Sequence, residues 1–373
     1  MSGRCVENHQ WFSTPGVACV DSMPNEGIRD GSMAHSAATE ARSKNGPCGD
    51  HQRQEALGTN GKKDNTVVAT RAAAGLEEPI QARLESAFHD DDFEMLVRAL
   101  VAVSRRRSTT EVESLKANIF HHLRERQEYA GDRRRVWLWT RMAAARPETE
   151  VREMACALLD GFWRDHRKEV ERLTLNLARD EDREVRQYAA GTMARIVRSN
   201  FRQRFKYLQK WCASQDPLVR RQVVISVVGV VDPKHPERAK PLLDMIEPHM
   251  SDRDPYVRRN LGPFALGQGL LAAYPEQTLE RFQDWLPSTD EIVRWNIATA
   301  LAAAVALRQW KSALEVLRVL AADRRRFVWG AASAALGNLA TYRSREVPPV
   351  LRRWMLDPTL RVAVSSALGK EAR

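Results

Sequence analysis

Arginines that recur at near-constant intervals are the residues of this sequence with the clearest potential for chemistry. Arg221 and Arg259 each follow another arginine in a repeated segment, and a run of three arginines occupies 324–326. A guanidinium donates paired hydrogen bonds to a phosphate, so arginines one repeat apart could contact successive phosphates of a nucleic acid. A solvated polar face is the alternative. The candidates are Arg221, Arg259, Arg324, Arg325 and Arg326, with Lys206 and Lys210 on the same rim.

Two tryptophans could offer flat surfaces for a base or a peptide. Trp295 follows the arginine of one repeat, and Trp329 replaces that arginine in the next. The equivalent places predict that the two rings lie near each other as stacking platforms, with core packing as the alternative. Other tryptophans fall at apolar helical positions and are predicted to be core residues: Trp137, Trp163, Trp211, Trp285 and Trp354.

Catalytic and metal-binding patterns are not found. His121-His122 lack carboxylates at ligand spacing, the run 90–92 of three aspartates fits a cap or loop, and Asp165-His166 has no accompanying nucleophile. Phosphate-binding and dinucleotide-binding glycine motifs do not occur. The 5 cysteines show no CxxC spacing, which argues against structural zinc and a disulfide framework. We therefore expect no metal and no cofactor.

The elements that must position these residues form a repeat. An acid, two variable residues, an aliphatic residue and an arginine recur, and the aliphatic residues are Val151, Val185, Val219, Val257, Val293, Val328 in a degenerate copy, and Leu360. Successive gaps are 34, 34, 38, 36, 35 and 32 residues. In the degenerate copy Arg325 replaces the acid and Trp329 replaces the arginine.

Each repeat predicts two helices. The acid suits an N-cap, and Pro217, Pro255 and Pro358 occupy the following position, where the missing N–H costs nothing. Two helices in 32–38 residues leave no room for strands. The fold class predicted is all-α, an α-solenoid of helical repeats stacked as an α-α superhelix. Gly262-Pro263, with Gly267 and Gly269, should interrupt one repeat helix.

These residues resemble a HEAT-repeat array, an armadillo-type fold, of the kind with a D-P-x-V-R signature. The resemblance implies that the acid and the arginine form a structural ladder between neighbouring repeats. The ladder residues are then Asp182, Arg186, Asp216, Arg220, Asp254, Arg258, Asp290, Arg294, Asp357 and Arg361. HEAT arrays usually scaffold protein–protein contacts, and a few bind nucleic acid.

A narrower stretch, from Lys210 to Glu276, is similar to HEAT-like alkylpurine DNA glycosylases. That resemblance places Arg221 at the family's arginine and Phe264 where the family prefers tryptophan. The family's upstream W-x-x-x-D element should fall near Glu184–Tyr188, and it is absent there. Without the carboxylate that stabilises the developing oxocarbenium charge, base excision is not expected.

Composition divides the chain into three parts. Residues 1–75 carry glycines and polar residues in no period and are predicted to be disordered. Residues 76–146 are predicted to be diverged helical repeats, and residues 147–373 the regular array. The net charge of +10 permits binding to phosphate backbones or acidic proteins, and no uncharged apolar run could span a bilayer.

From the sequence we expect a non-catalytic, cytoplasmic scaffold that binds a protein or nucleic-acid partner along its concave face. The alternative is a HEAT-like DNA-binding protein or a glycosylase acting on alkylated bases.

Overall fold

The computed structural model describes residues 78–104, 109–303 and 309–369. None of the residues in these ranges lies in a β-strand, and nearly all belong to helices or the short turns between them. The all-α fold and the HEAT-like repeat architecture predicted from the spacing are confirmed. The predicted disordered segment 1–75 lies outside the described residues.

The helices of the regular array alternate between two sets. The first-set helices begin at the recurring pattern: α5 Thr149–Leu159, α7 Arg183–Ser199, α9 Pro217–Val230, α11 Pro255–Asn260, α13 Glu291–Ala303, α15 Arg326–Tyr342 and α17 Arg361–Leu368. The second-set helices follow them: α6 Trp163–Leu177, α8 Phe201–Cys212, α10 Ala239–Ile246, α12 Pro275–Trp285, α14 Trp310–Ala321 and α16 Val347–Trp354. Four helices precede the array: α1 Glu78–Asp90, α2 Phe93–Ser104, α3 Thr109–Glu128 and α4 Ala130–Ala143.

First-set helices stack directly on one another along the array. Helix α5 packs on α7, α7 on α9, and the contacts continue through α13, α15 and α17. Second-set helices cover this layer, since α6 packs on α5 and α7, and α8 on α7 and α9. Helices α2, α3 and α4 pack on α5, so the core continues into the N-terminal helices. Equivalent positions of successive repeats therefore lie side by side in the first layer.

The recurring acids begin the first-set helices. Asp182 accepts hydrogen bonds from the backbone N–H groups of Glu184 and Val185, and Asp216 accepts one from Leu218. The aliphatic residue that follows each acid is buried in the core. Because the cap satisfies N–H groups that have no partner inside the helix, it fixes where each first-set helix starts.

One repeat helix is interrupted where the sequence predicted it. Helix α11 continues as a π-helical segment, Leu261–Leu271, which packs tightly against α13. A Cβ at Gly262 would lie 2.9 Å from the carbonyl oxygen of Asn296, and one at Gly267 would lie 2.7 Å from that of Ala300. Pro263 cannot donate to the helical ladder. The glycines therefore permit a backbone approach that no larger residue would allow.

Most of the tryptophans predicted for the core are in it. Trp137, Trp163, Trp211 and Trp285 are buried, and Trp354 is half-buried against the core. Within the described ranges, every helix is too short or too polar to span a bilayer.

Candidate nucleic-acid interface

Five first-set helices are preceded by a turn with a residue that decides what the arginine of the preceding repeat can contact. These helices are α7, α9, α11, α13 and α15, and we call each of the five turns a junction. This pre-cap residue lies two positions before the N-cap, and it accepts a hydrogen bond from the backbone N–H of the N-cap residue. It is an aspartate in three junctions, with N···O distances of 2.8, 2.9 and 2.9 Å, and a serine in two, with 3.2 Å in both. Along the chain the pre-cap residues are Asp180, Ser214, Asp252, Ser288 and Asp323.

Where the pre-cap residue is aspartate, the arginine of the preceding repeat forms an ion pair with it. The N–O distances are 2.8 Å for Arg152–Asp180, 2.7 Å for Arg220–Asp252 and 2.6 Å for Arg294–Asp323. Hydrogen bonds from Arg325, together with the charge of Arg294, lower the pKa of Asp323 to about 2. We call these three contacts the anchored junctions. They join neighbouring repeats and hold each arginine against a carboxylate.

Where the pre-cap residue is serine, the arginine lies against an aromatic ring instead. The Arg186 guanidinium is 5.4 Å from the centroid of the Tyr256 ring, and its Nε donates to the Tyr256 hydroxyl at 3.0 Å. The guanidinium of Arg221, from the repeat between them, lies 4.3 Å from the same ring. We call these three side chains the Tyr256 cluster.

The second serine junction also places its arginine against aromatic rings, further along the array. The Arg258 guanidinium is 5.5 Å from the Phe327 ring and 5.6 Å from the Trp295 ring. The two rings stack with centroids 5.1 Å apart and an interplanar angle of 11°. We call these three side chains the Phe327 cluster, and the two clusters together the arginine–aromatic row.

The two clusters occupy equivalent repeat positions. Each cluster draws on three successive repeats. The arginine comes from the first repeat, and the ring, Tyr256 or Phe327, comes from the third, directly before its aliphatic residue. Arg221 and Trp295 come from the second repeat, two positions after its aliphatic residue. Arg186, Tyr256, Arg258 and Trp295 are half-buried, and Phe327 is 39% exposed. The row therefore presents cations and ring edges at the surface.

Several predicted contacts lie elsewhere. Arg221 is fully buried (0% exposed), so the expectation that it meets a phosphate at the surface is wrong, because the Tyr256 ring covers it. Trp295 stacks on Phe327, and not on Trp329, which is half-buried against the core. Arg259 and Phe264 are half-buried.

The arginine run 324–326 has mixed roles. Arg324 and Arg326 are exposed, whereas Arg325 pairs with Asp323 at 2.7 Å and donates to the carbonyl of Thr289 at 2.7 Å. The sequence predicted that the acid and the arginine of the ladder are both missing at this degenerate copy. That expectation is wrong for the acid, because Asp323, at the pre-cap position, is the ion-pair partner of Arg294.

The remaining predicted ladder residues divide into caps and anchors. Four acids assigned to the ladder accept from backbone N–H groups at helix starts: Asp182, Asp216, Asp254 and Asp290. Asp357 accepts from the N–H of Thr359 in the turn before α17. The last arginine, Arg361, donates to the carbonyl of Met355. Ion pairing along the ladder thus runs through the pre-cap acids, which sequence reasoning missed although their alternation with serine is visible in the sequence.

A buried charge pair between α3 and α5 was also missed. Lys116 on α3 contacts Glu153 on α5 at 2.6 Å and lies 5.8 Å from the Tyr188 ring. Burial raises the pKa of Glu153 to about 7, and the charge of Lys116 opposes that rise. Glu153 occupies the same repeat position as Arg221, two repeats earlier, and Gln187 lies between them.

No group of three His, Cys, Asp or Glu side chains among the described residues is placed to hold a metal ion. Asp165 pairs with Arg133 at 2.6 Å, and His166 stacks on Trp137 with ring centroids 4.2 Å apart. Both residues therefore have structural contacts.

Comparison with known protein families finds one similarity. Residues 108–264, less than half of the chain, match the family described as DNA alkylation repair enzyme. No curated protein matches the chain significantly.

The solved structures that match the chain are distant in sequence. The protein smu.31 from Streptococcus mutans is 18% identical, with a TM-score of 0.38 over 59% of this chain and 94% of its own. The karyopherin Kap121p, bound to the extreme C-terminus of the phosphatase Cdc14p, is 12% identical, with a TM-score of 0.43 over 82% of this chain and 40% of its own. YibA of Escherichia coli is 17% identical, with a TM-score of 0.34 over 78% of this chain and 97% of its own.

Proposed function

We propose that this chain is a nucleic-acid-binding helical-repeat protein that holds a phosphate backbone along the arginine–aromatic row. The observation that carries the proposal is the alternation of junctions. Arg152, Arg220 and Arg294 are neutralised by aspartates, whereas Arg186 and Arg258 pair with no carboxylate of the described residues.

The stacked arginines keep their charge available. A guanidinium lying on a ring is attracted by the π-electrons, and its N–H groups at the edge can still donate to a phosphate. Arg186 uses Nε for the Tyr256 hydroxyl and Nη1 for the backbone carbonyls of Asp180 and Glu181. The ring therefore orients each cation and leaves its charge unneutralised. A carboxylate in the same place would neutralise that charge.

Spacing along the array suits a polymer with repeated charge. Arg186 and Arg258 lie two repeats apart in the first layer, and packed helices are about 8–10 Å apart, so the arginines are separated by roughly 16–20 Å. A duplex rises about 3.4 Å per base pair, and this separation corresponds to about half a turn. The rings are already covered by guanidinium groups, so the row recognises phosphate charge and does not read bases.

The test is the salt dependence of binding to duplex DNA, measured by fluorescence anisotropy between about 50 and 200 mM salt. The variant Arg186→Gln/Arg258→Gln should weaken binding, and the slope of log K against log salt should fall by about 2. Arg352→Gln/Arg353→Gln is the control, because both residues are exposed and lie on α16, a helix that carries no residue of the row. Absence of binding at low salt would remove the proposal and favour a protein partner.

Base excision is a second candidate because the match to the DNA alkylation repair enzyme family includes Arg221. One repeat before Arg221, however, the equivalent position is Gln187, whose neutral amide cannot stabilise an oxocarbenium charge. Release of a methylated purine from alkylated DNA would establish excision. Binding without release is the outcome that our proposal expects.

A further inference from the structure

A cleft of about 770 Å³ opens between α6 and α8, within the second layer of helices. It is lined by residues 163–169 and by residues 202–207 except Phe205. The cleft lies at the turns that join the first and second helices within a repeat. The arginine–aromatic row lies at the turns that join one repeat to the next. Because these turns are at opposite ends of the helices, the cleft and the row are separate surfaces.

Six cationic side chains line the cleft: Arg164, Arg167, Lys168, Arg202, Arg204 and Lys206. The two acids in the lining are engaged by arginines of α4. Asp165 pairs with Arg133 at 2.6 Å, and Glu169 pairs with Arg141 at 2.7 Å. Within the described part of the chain, none of the six cations forms an ion pair. The cleft therefore holds a concentration of positive charge that the protein does not neutralise.

Arg204 is the most constrained of these cations. It donates through Nη1 to the Ile196 carbonyl at 3.3 Å and to the Ser199 hydroxyl, and its guanidinium lies 5.9 Å from the Trp163 ring. Burial lowers the pKa of Arg204, and the neighbouring charge of Arg164 lowers it further. Arg164 and Arg204 repel each other, and a bound anion would relieve that repulsion.

The aromatic residues of the cleft do not form a free stacking surface. Trp163 and Tyr207 contact each other edge-to-face, with centroids 4.9 Å apart and an interplanar angle of 79°. Trp163 is buried, and Lys206 lies 5.5 Å from the Tyr207 ring. Since Trp163 is buried and Lys206 lies over the Tyr207 ring, we expect the cleft to select for charge and not for a nucleobase.

We propose that this cleft binds a compact oligophosphate chain, as found in inorganic polyphosphate or in the triphosphate of a nucleotide. Guanidinium groups match phosphate oxygens in pairs, and several converging cations suit a short chain of closely spaced negative charges. The volume is in the range of small-molecule sites, about 300–1,000 Å³. A long acidic peptide would need apolar anchors as well, which the lining does not supply.

The experiment is isothermal titration calorimetry of the full chain with sodium tripolyphosphate at low salt. The test variant is Arg164→Gln/Arg202→Gln, because both side chains are exposed and their loss should leave the fold intact. Removing two charge-assisted contacts should weaken binding at least about tenfold. The control Arg352→Gln/Arg353→Gln removes the same charge from α16 and should bind like the unmodified protein.

Further titrations decide the class of ligand. ATP should bind about as tightly as tripolyphosphate, since the phosphate chain is the recognised part. No tripolyphosphate binding, equal losses in test and control variants, or tighter binding of a poly-glutamate peptide would overturn the proposal.

The proposals for the cleft and for the row can be tested independently. Arg164→Gln/Arg202→Gln should retain duplex DNA binding, and Arg186→Gln/Arg258→Gln should retain tripolyphosphate binding. If instead Arg164→Gln/Arg202→Gln loses DNA and tripolyphosphate binding together, the cleft is part of a nucleic-acid surface and the oligophosphate proposal is wrong.

Discussion

The anchored junctions and the two serine junctions, which we call the stacked junctions because their arginines lie on aromatic rings, place the same repeat arginine in two different environments. Arg152, Arg220 and Arg294 reach an aspartate of the next repeat. Where the next repeat has a serine at that position, Arg186 and Arg258 lie on rings two repeats away. A carboxylate partner converts the cation into a link between repeats. Without that partner the cation forms no such link, and in our proposal it is available to a phosphate.

The largest expected effect comes from breaking the most buried anchored junction. Arg152 is 7% exposed, and besides Asp180 it holds the carbonyls of Arg146 and Pro147. Arg152→Gln leaves Asp180 without its charge partner and should lower the free energy of unfolding by about 3 kcal/mol. Arg258→Gln, at a stacked junction, should cost about 1 kcal/mol or less. Urea denaturation of both variants checks this, and equal losses would contradict the division.

Lowering the pH should remove the stabilisation that an anchored junction contributes and should leave the contribution of a stacked junction unchanged. The pKa of Asp323 in the folded chain is lowered to about 2, below that of an unfolded aspartate, so its stabilisation is present above about pH 4 and is lost as pH falls from 4 towards 2. Asp323→Asn should therefore cost about 1–2 kcal/mol near pH 6 and progressively less below pH 4. The cost of Arg258→Gln should stay constant over that range. A pH-independent cost of Asp323→Asn would show that its charge is not the cause.

Converting a stacked junction into an anchored one should raise stability modestly. In Ser214→Asp the new carboxylate can still accept from the Asp216 N–H, as Asp180 does from Asp182, and it can also attract Arg186. We expect a gain of about 0.5–1 kcal/mol in the free energy of unfolding. Ser312→Asp, at an exposed position on α14, is the control and should change little. A loss of stability in Ser214→Asp would mean that Arg186 cannot leave Tyr256.

The smallest expected effect tests the ring beneath a stacked arginine. Phe327→Leu keeps an apolar side chain and removes the π-surface under Arg258, while Trp295 still supports that arginine. DNA affinity should fall about two- to threefold, corresponding to a cation–π contribution of about 0.5 kcal/mol. The matched variant Val319→Leu changes an exposed apolar residue outside the row and should bind normally. Equal DNA affinities of the two variants would show that the Phe327 ring does not contribute to binding.

The sequence predicted the repeat and its helices because periodic apolar residues and caps act locally. It could not predict that Arg221 is buried, because an arginine doublet looks the same whether its second member faces water or a ring. Tyr256 and Phe327 were missed because their arginines lie 70 and 69 residues earlier in the chain. Such contacts depend on the stacking of three repeats, which periodicity alone does not place.

The measurement that tests the central claim most directly is the salt slope of duplex DNA binding by Ser214→Asp/Ser288→Asp. This variant keeps every arginine and supplies an acid at both stacked junctions. The control, Ser312→Asp/Ser344→Asp, adds the same charge at exposed positions outside the row. If the stacked arginines hold the phosphate backbone, the slope falls by about 2 in the test variant and stays near the unmodified value in the control. An unchanged slope in the test variant, or an equal fall in both, would contradict the account.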